Sequence, residues 1–492
     1  MSDSLSQNRD SQTDTIAAFA TALGGAVAVI RASGPDALSV AGKVWTGRVP
    51  LSTAPVRALR LGAVHNGDGP LDGEVLATYM PGPHSFTGED VVELHCHGGA
   101  LGARLTLLAL LAAGCRHAEP GEFTRRAFLN GRLDLTQAEA VADLIEAHSE
   151  SALHMANRQL GGLLGRRIRE LYDALAELLA DVESRLDFAE EDLGWRPADS
   201  VREGVDGATV SCQELLADVE SRLDFVEEDL DWRPADSVRE GVDRATAFCQ
   251  ELLASRREGE ILREGVVLVL AGAPNVGKSS LLNAILGRDR AIVTDIPGTT
   301  RDTLEELAHI RGIPVRLVDT AGIREADNLI EQTGIERSRD SIRRAQVVLW
   351  IVDASVPYEP QAWRSEEHPF AGPVLVVANK SDCGTQNMPT EALATCALTG
   401  EGLDGLYDAI ERAVWDAPHH HESEVAVSAR HGHCLDQAIE ALVDARLATD
   451  HEEWELVSAA VRAAIASLGQ ITGQTADPDI LDTIFLRFCI GK

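Results

Sequence analysis

From Thr15 to about Val92 short apolar runs with β character, AVAVIRASG, EVLATYM and DVVELHCHGG, alternate with one helical stretch and with Gly/Pro turns. That alternation predicts a small α+β domain. From LTQAEAVADLIEAHSE onward the spacing changes: Leu175, Leu178, Leu179, Val182 and Leu186 recur at helical intervals, and strand-like runs vanish until about Gly265. At REGVVLVLAGAPNVGKSSLLNAIL the pattern becomes strand, glycine-rich loop, helix. The runs VRLVDTAG, VVLWIVDAS and VLVVANKSD then read as further buried strands between helical stretches, which predicts a doubly wound α/β domain. CLDQAIEALVDARLA and EWELVSAAVRAAIASLGQIT are helical again. The simplest arrangement inserts the α/β domain into a helical domain built from both flanks. Its expected limits are 1–130 for the N-terminal domain, 131–264 and 416–492 for the two parts of the helical domain, and 265–415 for the α/β domain.

Within the helical part the chain repeats itself. Glu177 to Gln213 is followed without a gap by a 37-residue copy, Glu214 to Gln250, that differs at five positions. Trp-Arg-Pro at 195–197 and again at 232–234 bars a continuous helix. Between the breaks, Asp199 to Leu230 has room for one extra helix of about 45 Å at the usual rise per residue. One more antiparallel helix would carry the α/β domain to the wrong end of the bundle. The expectation is therefore that one copy folds out as an acidic helical hairpin and adds no dedicated function.

Charge and composition narrow the function classes. At 492 residues the chain has room for two to four domains. A formal charge of −34, of which the two copies carry −14, excludes wholesale coating of nucleic acid, since phosphate affinity comes from Lys and Arg. The N-terminal MSDSLSQNRDSQTD has no apolar signal core, and runs such as AFATALGGAVAVI are too short to span a bilayer, so a cytoplasmic protein without a membrane is expected. Eight scattered cysteines read as reduced thiols. HCHGG at 95–99, HHH at 419–421 and HGHC at 431–434 lack a second ligand pair at zinc-site spacing.

The chemistry lies in the α/β segment. GAPNVGKS, Gly272 to Ser279, fits the phosphate-binding loop, set between a strand and a helix as that loop requires. Its backbone N–H groups converge on phosphate oxygens, Lys278 adds a point charge, and Ser279 is placed to ligate Mg²⁺. NKSD, Asn379 to Asp382, selects the base, because a carboxylate accepts from the two adjacent N–H groups of guanine and would be left unpaired against adenine. DTAG, Asp319 to Gly322, and TDIPGTT, Thr294 to Thr300, supply Mg²⁺ and γ-phosphate contacts, with Thr300 as a metal ligand. CALTGEG, from Cys396, stands in the place of the last base-contacting loop. The residue after DTAG is Ile323, which cannot orient water as the Gln of many GTPases does.

With these motifs the chain resembles the MnmE (TrmE) tRNA-modification GTPase family almost end to end. The resemblance rests also on DTIAAFAT, VIRASGPDA, SFTGEDVVELHCHGG, PGEFTRRAFLNGRLDLTQAEAVADLI, DFVEED, ILREG, AIVTDIPGTTRDTLEE, DTAGIRE and the terminal FCIGK. It implies an α+β tetrahydrofolate-binding N-terminal domain that dimerises, a discontinuous α-helical domain, and an inserted Ras-like GTPase domain. It implies GTP contacts at Asn275, Val276, Gly277, Lys278, Ser279 and Ser280, and along the switch at Thr294, Asp295, Ile296, Pro297, Gly298, Thr299 and Thr300. Further contacts fall at Asp319, Thr320, Ala321 and Gly322, at Asn379, Lys380 and Asp382, and at Cys396, Ala397 and Leu398. It places K⁺ at Asn275, Thr294, Ile296 and Thr299, where the cation stands in for an arginine finger, and makes Glu331 the general base beside Asn275 and Lys278. A tetrahydrofolate derivative is expected at Arg31, Glu93 and Arg132, with Lys492 of a dimer mate, and Cys489 near that site as a thiol of open role. Arg132 stands where some relatives have Lys, and the loop before Arg31 lacks the family's Pro-Pro-Gly.

The implied function is a K⁺-activated GTPase. With an FAD-dependent MnmG-like partner in a heterotetramer, it modifies C5 of the wobble uridine of certain tRNAs. The competing class is a regulatory GTPase switch of ribosome assembly without RNA chemistry, which would lack the folate residues and FCIGK.

Overall fold

A computed structural model describes residues 14–67, 69–147, 149–191, 235–289, 305–319, 345–357, 370, 372–384, 391–415, 425, 427–475, 477–486 and 488–491. They fall into two compact units: Met1–Leu163, Arg257–Ala426 and Asp477–Lys492 in one, Leu164–Arg256 and Val427–Ala476 in the other.

The apolar run before Arg31 becomes two strands, β1 (Ile16–Phe19) and β2 (Val27–Ser33), paired antiparallel. Helix α1 (Ala37–Val44) follows, then β3 (Trp45–Gly47), β4 (Arg60–His65), β5 (Pro70–Met80) and β6 (Val91–His97). Helix α2 (Ala100–Ala113) and the short β7 (Arg116–His117) complete a seven-stranded sheet of order β3-β4-β5-β6-β2-β1-β7. Only the β1–β7 pair in it is parallel. Ala28, Ile30, Val64, Val75, Ala77 and Leu94 are buried against α1 and α2, so the alternation seen in the sequence becomes one packed sheet face. Helix α3 (Glu122–Leu129) leads to α4 (Leu135–Glu146), which opens with a reciprocal capping box between Asp134 and Gln137, and to α5 (Glu150–Leu160).

The second unit contains the long α6 (Leu163–Glu191) from Leu164 onward and α7 (Ala235–Ala254). Returning to the first unit, α8 (Arg256–Glu264) feeds β8 (Val266–Gly272), followed by α9 (Lys278–Asp289), β9 (Glu305–Ile310) and β10 (Ile313–Asp319). After β11 (Val347–Asp353), β12 (Val374–Asn379) and β13 (Leu393–Ala394) comes α10 (Leu403–Trp415). These strands order as β13-β12-β11-β8-β10-β9, all parallel except the β9–β10 pair. Strand β9 is not among the strands expected from apolar runs: an edge strand that buries Ala308 and Ile310 but exposes Glu306 has no continuous apolar run. Leu268, Leu270, Leu317, Leu349 and Ile351 form the core, and full burial of each such side chain is worth roughly 1.5–3 kcal/mol.

Helices α11 (Ala429–Asp450) and α12 (Trp454–Thr472) complete the second unit; Ser428 and His431 cap α11 reciprocally. Helix α13 (Pro478–Phe485), capped by Asp477, then returns the chain to the first unit. There Pro120 pairs with Ile490, and Gly491, at φ +98°, lies so close to Phe19 O that a Cβ would sit 1.7 Å from it. The expected helix over Asp199–Leu230, the proline breaks and the folded-out hairpin lie outside the described residues. Among the described residues no helix is long and apolar enough to cross a membrane, and no cluster of His, Cys, Asp and Glu is arranged for a metal.

Candidate functional site

The parallel strands of the second sheet end on one edge, and the nucleotide motifs follow directly from those ends: Gly272 closes β8, Asp319 closes β10, Asp353 closes β11 and Asn379 closes β12. Carboxyl ends of parallel strands are where ligands bind in such sheets, because helix N-termini and loops converge there. The loop after β8 turns through Asn275 (φ +62°) and Gly277 (φ +95°) before α9 begins at Lys278. A Cβ at Gly277 would meet Asn379 Nδ2 at 2.2 Å, so glycine is needed for close approach as well as for its dihedral.

Lys278 is buried, and its Nζ donates to Gly272 O at 3.1 Å and Ala273 O at 2.9 Å, which leaves the ammonium folded over the loop that it serves. Ser279 and Ser280 follow in the first turn of α9. Asn379 is the tie between the phosphate loop and the base loops. Its Nδ2 donates to Val276 O at 3.1 Å, while its Oδ1 accepts from Ala397 N at 3.1 Å. Lys380, in a left-handed conformation (φ +63°), donates to Asn275 O at 2.9 Å and to Asp353 Oδ2 at 2.6 Å. Burial pushes the Asp353 carboxyl up, but hydrogen bonds from Lys380 and Ser355 outweigh it and hold it below the ordinary carboxylate range. The aspartate was not singled out in the sequence; its place at the end of a buried strand facing a lysine was the available signal.

Asp382 sits in a single 3₁₀ turn, Ser381–Cys383. Its Oδ1 accepts from the Cys396 thiol at 3.3 Å and its Oδ2 lies 3.6 Å from that of Cys383. The Asp382 charge, with burial, pushes the Cys383 thiol up, which keeps it a protonated donor. Cys396 is buried and Leu398 is 87% exposed, so the last loop presents one supporting and one open side chain to the base position. The structure thus brings together Asn275, Val276, Gly277, Lys278, Asn379, Lys380, Asp382, Cys396 and Ala397. Of Asp319 only the backbone is described; Thr294, Asp295, Ile296, Pro297, Gly298, Thr299, Thr300, Thr320, Ala321, Gly322 and Glu331 lie outside the described residues.

A second cleft lies on the first sheet. Arg31 and Glu93 are register partners on β2 and β6, and Arg31 Nε donates to Glu93 Oε1 at 2.9 Å. The guanidinium stands 5.2 Å from the Phe86 ring centroid and 5.7 Å from that of Phe123, a cation–π arrangement that fixes it in place. Glu93 Oε2 lies 3.5 Å from His95 Nε2, a buried ring nitrogen without a hydrogen-bond partner. Arg132 Nε donates to Ser85 O at 3.1 Å, beside Phe86, which brings the third residue to the same cleft. His95, Phe86 and Phe123 were not foreseen as members of it. Below lies a buried ion network: Arg126, 3% exposed, pairs with Asp14, Glu89 and Glu122, and Arg116 pairs with Asp14 and Glu122. Burial pushes the Asp14 and Glu122 carboxyls up, but bonds from Arg116, joined at Asp14 by Arg126, hold both below the ordinary range.

The C-terminal motif comes close to this network. Gly121 N–H donates to Cys489 O at 3.5 Å, and Cys489 itself is exposed. Lys492 lies outside the described residues.

Comparison with known proteins gives full-length similarity. The family model for the GTP-binding protein TrmE N-terminus matches residues 15–132, and that for the MnmE helical domain matches 135–209 and 198–489, two stretches that overlap inside the duplication. The tRNA modification GTPase MnmE of Geotalea uraniireducens (strain Rf4) is 40% identical over 493 residues, covering 97% of this chain and 99% of the relative. That of Clostridioides difficile (strain 630) is 39% identical over 97% of this chain and 99% of its own length. That of Chloroflexus aurantiacus is 41% identical over 97% and 100%.

Proposed function

The chain belongs to the MnmE family of tRNA modification GTPases, and from that premise we propose how its residues divide the work. It is a GTPase acting in tRNA modification. The finer reading is that it is K⁺-activated and works in the cytoplasm as a homodimer. With an FAD-dependent MnmG-like partner, in a heterotetramer, it installs an aminomethyl-type group at C5 of the wobble uridine of certain tRNAs. The proposed domain limits are 1–130, 131–264 with 416–492, and 265–415.

In this reading the backbone amides from Asn275 to Ser280 hold the phosphates, Lys278 leaves the carbonyls of Gly272 and Ala273 to meet them, and Asp382 reads guanine. Lys380, pinned between Asn275 O and Asp353, supports the loop under the base. Ser279 and Thr300 would hold Mg²⁺, and Asn275, Thr294, Ile296 and Thr299 would hold K⁺. Those cations supply positive charge against the charge that develops on the transferred phosphoryl group. Glu331 orients the attacking water, a role that Ile323 cannot fill.

The Arg31–Glu93 cleft fits a pterin and its acidic tail. Glu93 offers a carboxylate to an N–H donor pair, His95 Nε2 is an unused polar atom beside it, and Arg132 is at hand for a carboxylate tail. Arg31, Glu93 and Arg132, with Lys492 of the dimer mate, therefore form the proposed site of the tetrahydrofolate one-carbon donor, with Cys489 nearby. One observation carries the reading: a single chain unites the phosphate loop with this cleft, and a bare GTPase switch has no use for the second. The test is deletion of the gene followed by mass spectrometry of bulk tRNA. Loss of the C5-modified wobble uridine is expected, and unchanged modification refutes the reading.

A further inference from the structure

The HCHGG run closes β6, and its two histidines are held differently. Leu94 and Cys96 are buried in the core, so Glu93, His95 and His97 lie on the opposite face of the sheet. His97 is engaged: its backbone N–H donates to Asp72 Oδ2 at 2.9 Å, and its Nδ1 bonds the same carboxylate. His95 has no such tie. Its Nε2 is shut off from solvent, has no hydrogen-bond partner in the protein and lies 3.5 Å from Glu93 Oε2, too far for a good bond. Its register partners across the sheet are Val29 on β2 and Leu76 on β5, and neither has a polar side chain. A buried polar atom left in this way is satisfied by a ligand that brings the partner.

Glu93 decides what that partner must be. A carboxylate only accepts, and Nε2 faces it, so the ring carries its hydrogen on Nε2 and stands as a donor. Glu93 Oε1 already holds Arg31 Nε at 2.9 Å, which leaves the freer oxygen, Oε2, on the side of His95. The cleft therefore presents two acceptors and then a donor: Glu93 Oε1, Glu93 Oε2 and His95 Nε2. Its complement is a ring edge of two donors and then an acceptor. The pyrimidine ring of a pterin has that order in its 2-amino group, its ring N–H and its 4-oxo oxygen. Arg31 does not compete for the oxygen, because it is bonded to the other carboxylate oxygen and held against the Phe86 and Phe123 rings.

We propose that His95 is a specificity-determining residue of this cleft: its Nε2 donates to the 4-oxo oxygen of the pterin while Glu93 takes the two N–H donors. The inference rests on the assignment of the Arg31–Glu93 cleft to a tetrahydrofolate and adds the residue that reads the third position of the ring edge. A site with a buried donor at that position rejects a ring that offers it no good acceptor.

The test is calorimetric titration of the full-length protein, under anaerobic conditions, with tetrahydrofolate and with its 4-thio analogue. The analogue keeps both N–H donors and puts sulfur, a weak acceptor, in place of the oxygen. Wild type should bind tetrahydrofolate about 10-fold more tightly than the analogue. His95→Leu, an apolar side chain between Val29 and Leu76, should bring the two affinities within about 2-fold of each other, by weakening tetrahydrofolate. His95→Gln restores an N–H donor and should return most of the preference. Both ligands meet the same variant, so a folding defect acts on both and leaves their ratio as it was. Equal affinity of wild type for the two ligands overturns the proposal. So does a preference that survives in His95→Leu, or an equal fall for both ligands there; each of these leaves the cleft assignment standing. Binding of neither ligand to wild type overturns the cleft assignment and the proposal with it.

Discussion

The phosphate loop and the Arg31–Glu93–Arg132 cleft are built in opposite ways. The loop's groups lie within eight consecutive residues, Gly272 to Ser279, and its shape is mainly a matter of local dihedrals such as those at Asn275 and Gly277. The cleft draws on residues about a hundred positions apart, and they meet only because β2 pairs with β6 in one register and because the chain after α3 passes Ser85. A site of the first kind is disabled by touching the loop. A site of the second kind is disabled by loosening the scaffold beneath it.

The largest effect that separates the two is expected at that scaffold. Arg126→Ala leaves the carboxylates of Asp14, Glu89 and Glu122 without their buried partner and should cost about 3–5 kcal/mol. It should lower the denaturation midpoint of the N-terminal sheet while GTP affinity, measured below that transition, stays unchanged. A matching fall in GTP affinity would erase the contrast. Lys278→Ala makes the converse test: GTP turnover should fall by about 10²- to 10³-fold with the N-terminal sheet as stable as before. If calorimetry shows both sheets weakened, the loop is not the local device described here.

Asp143 offers a probe remote from both sites. Burial, with repulsion from Glu139 and Glu146, raises its value to about 6 against the opposing pull of Arg263, whose Nη2 lies 2.6 Å away. Because the folded value exceeds the ordinary 3.8, its contribution to stability is full below about pH 4 and lost as pH rises through about 6. Asp143→Asn should therefore match wild type near pH 4 and exceed it by up to about 3 kcal/mol above pH 6, as read from urea melts. A variant less stable at pH 7.5 than at pH 4, relative to wild type, would reverse this assignment.

Asp382→Asn should weaken GTP by about 2 kcal/mol and narrow the preference over other nucleotides, because a charged acceptor is lost while the Cys396 support remains. Unchanged guanine preference in competition binding would move base reading elsewhere. The smallest effect is expected at Gly491→Ala, roughly 1–2 kcal/mol, since a Cβ there collides with Phe19 O and forces the C-terminal segment off the sheet. Labelling of Cys489 at an unchanged rate would show that the segment does not depend on this contact.

The same contrast explains what could be read in advance. Strand, loop and helix around Lys278 were legible because a phosphate loop constrains neighbours in sequence, and NKSD because base reading needs one short polar segment after a buried strand. Arg31, Glu93 and Arg132 became candidates only through family resemblance; no local pattern marks them. His95 was noticed only within HCHGG as a poor zinc motif, and the Arg126 network was missed, because a half-buried histidine or a buried arginine looks, in a sequence, like any polar residue on a strand or helix. Strand β9 was missed for the related reason that an edge strand needs only half of its residues to be apolar.

By itself the sequence determined the order of sheet, helices and nucleotide segment, the identity of the phosphate and base loops, and the presence of two near-identical 37-residue copies. Those are properties of residues close together in the chain, where dihedral preference and periodicity act directly. Only the tertiary structure decided that Arg31 faces Glu93, that Lys380 is held by Asp353, and that α7 packs on α11. Such choices depend on strand register and on which buried surfaces meet.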